Sequence, residues 1–173
     1  MFRCFFCDLV CNLHFQKMTT MNDATINMKG IQTMKEKTDI TFSDEAIPII
    51  IALHEATNAH DMDATLAFFA DDAVANFPGQ PPPNVLTSRK QIRTDWLEID
   101  FVNNVHVEIG NIQVADDQLI WMGTISWDFL RPLGIASLEG MGKAIVQEGK
   151  IKSFTAIFPP GSLAKIEAGI KKE

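Results

Sequence analysis

The chain has 173 residues, 46% hydrophobic and 21% charged, a composition that fits one globular domain able to bury a real core. A formal charge of −7 with no basic stripe excludes a nucleic-acid partner, because nothing is placed to neutralise phosphates. No apolar run approaches the ~20 residues a membrane helix needs. All three cysteines lie at positions 4, 7 and 11, so the remainder holds no disulfide, which suits a cytoplasmic location.

The N-terminal stretch differs from the rest. Cys4, Cys7, Cys11 and His14 invite a zinc reading, but four ligands packed so tightly leave no loop between two ligand pairs. No metal site is therefore assigned. Asp8 interrupts the apolar run that a secretory signal needs. From Thr19 to Thr41 the composition is polar and aperiodic, so residues 1–42 are expected to be a disordered or over-long extension. Residues 43–172 are then the folded domain.

From Ile47, the residues Ile50, Ile51 and Leu53 recur at helical spacing, with Ser43 in the N-cap region. Asn58 to Asp61 interrupts the period, with His60 reading as a cap. Asp63 is placed to cap a second helix carrying Leu66, Phe68 and Phe69. Asp71-Asp72 reads as its end, and Ala73 to Phe77 leads into the turn Pro78-Gly79.

After the prolines 81–83, Ser88 caps a third helix from Arg89 to about Asp100, with Ile92, Trp96 and Ile99 on one stripe. The period then becomes alternating. Val105, Val107 and Ile109 slip in phase across Gly110-Asn111 to Ile112 and Val114, which predicts a β-bulge. Further strands are expected from Gln118 to about Leu130, Ile135 to Gln147 and Ile151 to Phe158. Ser162 then caps a closing helix through about Ile170. Helices first and an antiparallel meander second make an α+β fold.

The wording around Asp71-Asp72-Ala73, the Pro78-Gly79 turn, the helix from Ser88 to Trp96 and Gly149-Lys150-Ile151 resembles the superfamily of nuclear transport factor two. Within it, the chain looks most like the SnoaL-like polyketide cyclases, the limonene epoxide hydrolases and the ketosteroid isomerases. The resemblance covers about residues 44 to 170. It implies a cone-shaped curved antiparallel sheet packed on three N-terminal helices, with a short C-terminal helix, around an apolar pocket. These motifs specify a fold better than a chemistry.

If even positions of the long strand face inward, the pocket lining includes Ile120, Met122, Thr124, Ser126 and Asp128. Across from them the resemblance places Val74, Asn76, Leu138, Gly140, Phe154 and Ala156. Trp96, with His54 or Asn58, closes the mouth. Such a lining suits a small hydrophobic ligand and implies no cofactor. The opposite parity exposes Trp121 and Trp127, which are expected to form a homodimer interface on the outer sheet face. The alternative is that a bulge shifts the parity and both tryptophans line the pocket.

The resemblance also allows catalytic sets to be compared. At the epoxide hydrolase positions the asparagine matches Asn76, but the tyrosine falls on Val74. The arginine and two acids fall on Thr124, Ser126 and Ala156. The ketosteroid isomerase set fails too, since the chain has no tyrosine and Phe77 precedes Pro78. The looser demand of the SnoaL-like cyclases, one acid/base carboxylate in an apolar cavity, can be met.

Asp128 is the candidate proton carrier, with His54 and Asn76 as orienting groups. Each has a plain structural alternative. Asp128 can pair with Arg131 at a wet strand end, His54 can be satisfied by backbone or water, and Asn76 can close a turn. Glu139 with Lys143, and His106 with Glu108, read as surface pairs. The expectation is acid/base catalysis of the cyclase, isomerase or dehydratase type on a small hydrophobic carbonyl compound. Its competitor is a ligand-binding or dimerisation module without catalytic residues.

Overall fold

The computed structural model describes residues 46–80 and 82–171. The expected extension 1–42, and with it the Cys4, Cys7, Cys11 and His14 cluster, lies outside the described residues.

Helix α1, Ala46–Asn58, buries the stripe Ile50, Leu53, His54 and Thr57, whose spacings of three and four put them on one face. Its C-terminal residue clamps a distant strand: Asn58 Nδ2 donates to Val107 O and Asn58 Oδ1 accepts from Val107 N, both at 2.8 Å. Helix α2, Met62–Ala67, is capped by Asp61 rather than Asp63, since the Asp61 carboxylate accepts from Ala64 N at 3.0 Å.

Strand β1, Phe69–Asn76, begins earlier than the sequence suggests. Asp71 and Asp72 do not end a helix; they project from a bulge within β1, where their charges meet Arg89 at 2.7 Å and Lys152 at 2.8 Å. The Pro78-Gly79 turn is closed by Phe77 N donating to Asn84 O at 2.8 Å, and β2, Val85–Leu86, returns against β1. Ser88 Oγ accepts from Gln91 N at 3.3 Å and starts helix α3. This helix runs from Arg89 to Val102, with a π-helical stretch Ile92–Leu97 between its two α-helical ends.

Strands β3 (His106–Ala115), β4 (Gln118–Ser126), β5 (Leu138–Gln147) and β6 (Lys150–Ile157) form an antiparallel meander, and helix α4, Pro160–Ile170, closes the described chain. The register of β3 on β4 slips between Ile109 and Ile112, the bulge expected at Gly110-Asn111. Strand β4 stops at Ser126 and a short 3-10 turn, Asp128–Leu130, follows it. The six strands lie in the order β2-β1-β6-β5-β4-β3, a curved, unclosed sheet in which β1 pairs in parallel with β6. Ser162 lies inside the first turn of α4 and donates to Glu139 O at 2.8 Å.

The core lies between one face of the sheet and α1, α2 and α3, with Ile50, Leu53, Phe69, Ile92, Leu97, Leu119, Trp121 and Phe154 all buried. This fixes the phase of β4. Leu119 and Trp121 are 2% and 4% exposed while Met122 is 49% exposed, so odd positions face inward. The even-in parity is corrected accordingly. Met122, Thr124 and Ser126 belong to the outer face, where Met122 and Thr124, with Glu108 and Glu139, border an open depression of about 450 Å³. In β1, Ala73 and Ala75 face in, so Val74 and Asn76 face out with Thr155. Trp121 is therefore withdrawn from the proposed outer dimer face, as is Trp127, whose indole reaches α3.

Candidate functional site

The interior is built from rings. Trp96 meets Phe77 and Phe154 at centroid distances of 5.0 Å and Phe69 at 5.9 Å. Phe154 continues to Trp121 at 6.0 Å, and Trp121 takes the edge of His54 at 5.5 Å. Such contacts each add about 0.5–1.5 kcal/mol beyond the area they bury. Where a hollow is expected from the sequence, these rings occupy much of the space. Leu138, Gly140 and Phe154 lie on the inward face, and Ala156 packs partly against the same core.

One carboxyl group is set into this aromatic wall. Asp100 accepts from Trp96 Nε1, one turn earlier on α3, at 2.7 Å through Oδ2. Its Oδ1 accepts from Trp127 Nε1, just beyond β4, at 3.1 Å. Burial pushes this carboxyl up to about 7, against the pull of the two indole N–H groups toward the ionised form. Asp100, Trp96 and Trp127 each retain partial exposure as residues, so the enclosed carboxyl lies just beneath the surface. Each of its oxygens keeps a lone-pair direction that the indoles do not use.

His54 supplies the second polar feature. Its ring is 9% exposed, and neither Nδ1 nor Nε2 has a hydrogen-bond partner. Burial lowers its pKa to about 4, so the imidazole is neutral at pH 7 with one donor and one acceptor open. His54 and Asp100 are joined through the ring series Trp121, Phe154 and Trp96.

Of the residues chosen from sequence, His54, Trp96, Leu138, Gly140, Phe154 and Ala156 lie on the inward side, whereas Asp128, Asn76, Val74, Met122, Thr124 and Ser126 do not. Asp128 stands at the strand end, 38% exposed, ion-paired to Arg131 at 3.1 Å and hydrogen-bonded by Asn104 Nδ2. His54 forms no hydrogen bond to it. Asn76 sits on the outer face at the end of β1. In the sequence reading Asp100 only marks the end of the third helix. The signal present in the sequence is Trp96 four residues before it, which a helix brings onto the same face. Trp127 is 27 residues away and is delivered by the fold. Among the described residues no group of three or more His, Cys, Asp or Glu is arranged to hold a metal ion. No described helix is long and apolar enough to cross a membrane.

The family described as SnoaL-like domain matches residues 50–154, more than half of the chain, a range that includes His54, Asp100 and the rings between them. The chain belongs to the SnoaL-like domain family. No curated protein sequence matches it significantly.

Solved structures agree on the fold. SalBIII, an epoxide hydrolase/cyclase-like enzyme of pyran ring formation in the polyether salinomycin, is 19% identical with a TM-score of 0.60, covering 69% of this chain and 95% of its own. TerC, co-crystallised with polyporic acid, is 18% identical with a TM-score of 0.59, covering 73% and 98%. A Sinorhizobium meliloti protein provisionally assigned as a polyketide cyclase is 18% identical with a TM-score of 0.54, covering 63% and 93%. At these identities the likeness is one of architecture.

Proposed function

We propose that this SnoaL-like protein performs acid/base chemistry of the cyclase, isomerase or dehydratase type on a small, flat, hydrophobic carbonyl compound. Asp100 is the proton carrier. The observation that carries this is a carboxyl group held by two indole N–H groups in an aromatic wall, with its pKa raised to about 7.

A group titrating there is present in both forms at neutral pH and can take a proton from one carbon or oxygen and return it to another. The indoles fix the carboxyl plane, so a substrate meets a lone pair or an O–H of set direction. The rings supply apolar contact for its body, and the neutral His54 imidazole offers a hydrogen bond to a carbonyl or hydroxyl further in. SalBIII, an epoxide hydrolase/cyclase-like enzyme of pyran ring formation, and TerC, co-crystallised with polyporic acid, support this substrate class. No cofactor is required for such proton transfer. Homodimerisation and a cytoplasmic location belong to the same proposal, with the exposed Met122 side of the sheet as the surface available for pairing.

A second reading, a ligand-binding module without turnover, is favoured by the chain's lack of any tyrosine and by the rings that occupy much of the interior. One experiment separates the two. A panel of aromatic and polyketide-like carbonyl compounds is screened for binding and for turnover, with wild type and Asp100→Asn side by side. The catalytic reading expects turnover to fall by about 10²-fold or more with affinity changed only a few-fold. Binding with no turnover in wild type supports the module, and unchanged turnover in Asp100→Asn removes Asp100 from the mechanism.

A further inference from the structure

We infer that Asp128 is a positioning residue that acts through its neighbour Trp127 on the Asp100 carboxyl. The inference rests on the reading of Asp100 as proton carrier and adds the device that holds its second indole in place.

Strand β4 ends at Ser126, so Trp127 and Asp128 have no strand partners to fix them. Three bonds from Asp128 replace the sheet. Its backbone N–H donates to Asn103 O at 2.8 Å, at the turn that leaves α3. One carboxylate oxygen accepts from Asn104 Nδ2 in the same turn, and the other pairs with Arg131 Nη2 at 3.1 Å. The turn is itself tied to the helix: Asn103 Nδ2 donates to Ile99 O at 2.7 Å and Val105 N to Asp100 O at 3.0 Å. Asn104 holds a left-handed backbone at φ 50°, a conformation that needs outside support. Asp128 thus links the strand end to the residues that flank Asp100. The Trp127 indole, one residue before it, is carried to Asp100 Oδ1.

The alternative is that Asp128 acts on Asp100 by its charge alone. The two routes have opposite signs. Removing a negative charge lowers the proton affinity of a nearby carboxyl, whereas losing an indole donor raises it. The other charged or titratable groups on the packed elements are engaged separately. Glu98 pairs with Arg93, Asp95 accepts from Thr94, His106 lies 4.0 Å from Glu108, and His60, after α1, is held by Val105 O at 3.0 Å and the Phe101 ring at 5.2 Å. His54 of α1 lies at the far end of the ring series. Arg131 neutralises Asp128 locally, which leaves the positional route dominant.

The test is a pH titration of the Asp100 carboxyl in the full chain, read by carbon NMR of labelled aspartate and by tryptophan fluorescence, with circular dichroism as the check on folding. Asp128→Ala is expected to move the midpoint up by about one to two units, the worth of one donor to a charged acceptor. Trp127→Phe is expected to do the same, and the double variant to move it no further than Trp127→Phe alone. Asp128→Asn, which keeps an oxygen for Asn104, is expected to stay closer to wild type than Asp128→Ala. If Asp128→Ala is not folded, Asn104→Ala carries the test with the same upward direction. A downward or absent shift in the folded variant, or additive shifts in the double, overturns the inference. A wild-type Asp100 that titrates near 4 overturns the reading of Asp100 itself, which is a separate result.

Discussion

The Trp121 indole lies against Gly142, its cross-strand partner, so closely that a Cβ at position 142 would stand 2.2 Å from Cε2 and 2.3 Å from Cζ2. On its other side the ring is held by His54 at 5.5 Å and Phe154 at 6.0 Å. The glycine is what lets a tryptophan face inward from β4. Gly142→Ala forces the ring into the packed interior, and overpacking of this kind costs about 1–3 kcal/mol. Thermal unfolding should show a lower Tm, and near-UV circular dichroism an altered Trp121 environment. An unchanged Tm and spectrum would mean the ring has room to move.

His54 and Asp100 pull the pH dependence of stability in opposite directions. Burial raises the Asp100 pKa from 3.8 to about 7, so between those values the folded protein holds a proton that the unfolded chain releases. Its contribution is largest at low pH and falls as pH rises through 7. The His54 pKa is lowered from 6.5 to about 4, so in that window the unfolded chain binds the extra proton. Its contribution is full above 6.5 and is lost as pH falls toward 4. At 1.36 kcal/mol per unit these are about 4 and about 3 kcal/mol, and they nearly cancel between pH 4 and 6.5. Wild type should therefore show a flat stability profile there. Asp100→Asn should lose stability on acidification, and His54→Leu should lose it as pH rises. Urea unfolding at half-unit pH steps checks both slopes.

At pH 7 the neutral His54 ring keeps two buried nitrogens without partners, a standing cost in the free protein. His54→Leu removes that cost and is expected to raise stability by about 1–2 kcal/mol. The same change should weaken binding of a carbonyl ligand about tenfold, the worth of one hydrogen bond. Calorimetric binding and melting on the same samples test the trade. Equal affinity in the variant would show that His54 makes no contact with ligand.

Asn58 covers the free edge of β3 by bonding both the N–H and the C=O of Val107. Asn58→Ala opens both groups and should cost about 1–3 kcal/mol. Hydrogen exchange at the Val107 amide is the specific readout, since an uncovered edge exchanges faster and offers a template for strand pairing.

Much of the fold was legible because local chemistry and fold agree: Ser88 caps α3, and the phase slip at Gly110-Asn111 is a bulge. The phase of β4 was not. Leu119 and Trp121 on one side and Ile120 and Met122 on the other leave no polar alternation to choose between them. What decides is Gly142 on the next strand, a feature of pairing rather than of the strand itself. The same inversion sent Asp128 inward on paper and left it beside Arg131 in fact. Asp100 was hidden for a different reason. Its burial comes from Trp127, and a contact between residues so far apart in sequence has no local trace.

The parallel pairing of β1 with β6 has a consequence for synthesis. As the chain leaves a ribosome, β1 emerges early yet has only the two-residue β2 for a neighbour until Lys150–Ile157 arrives. Throughout that interval the Phe69 and Trp96 rings wait without Phe154 to close over them. The nascent chain is thus at its stickiest just before β6 emerges, when chaperone occupancy should peak.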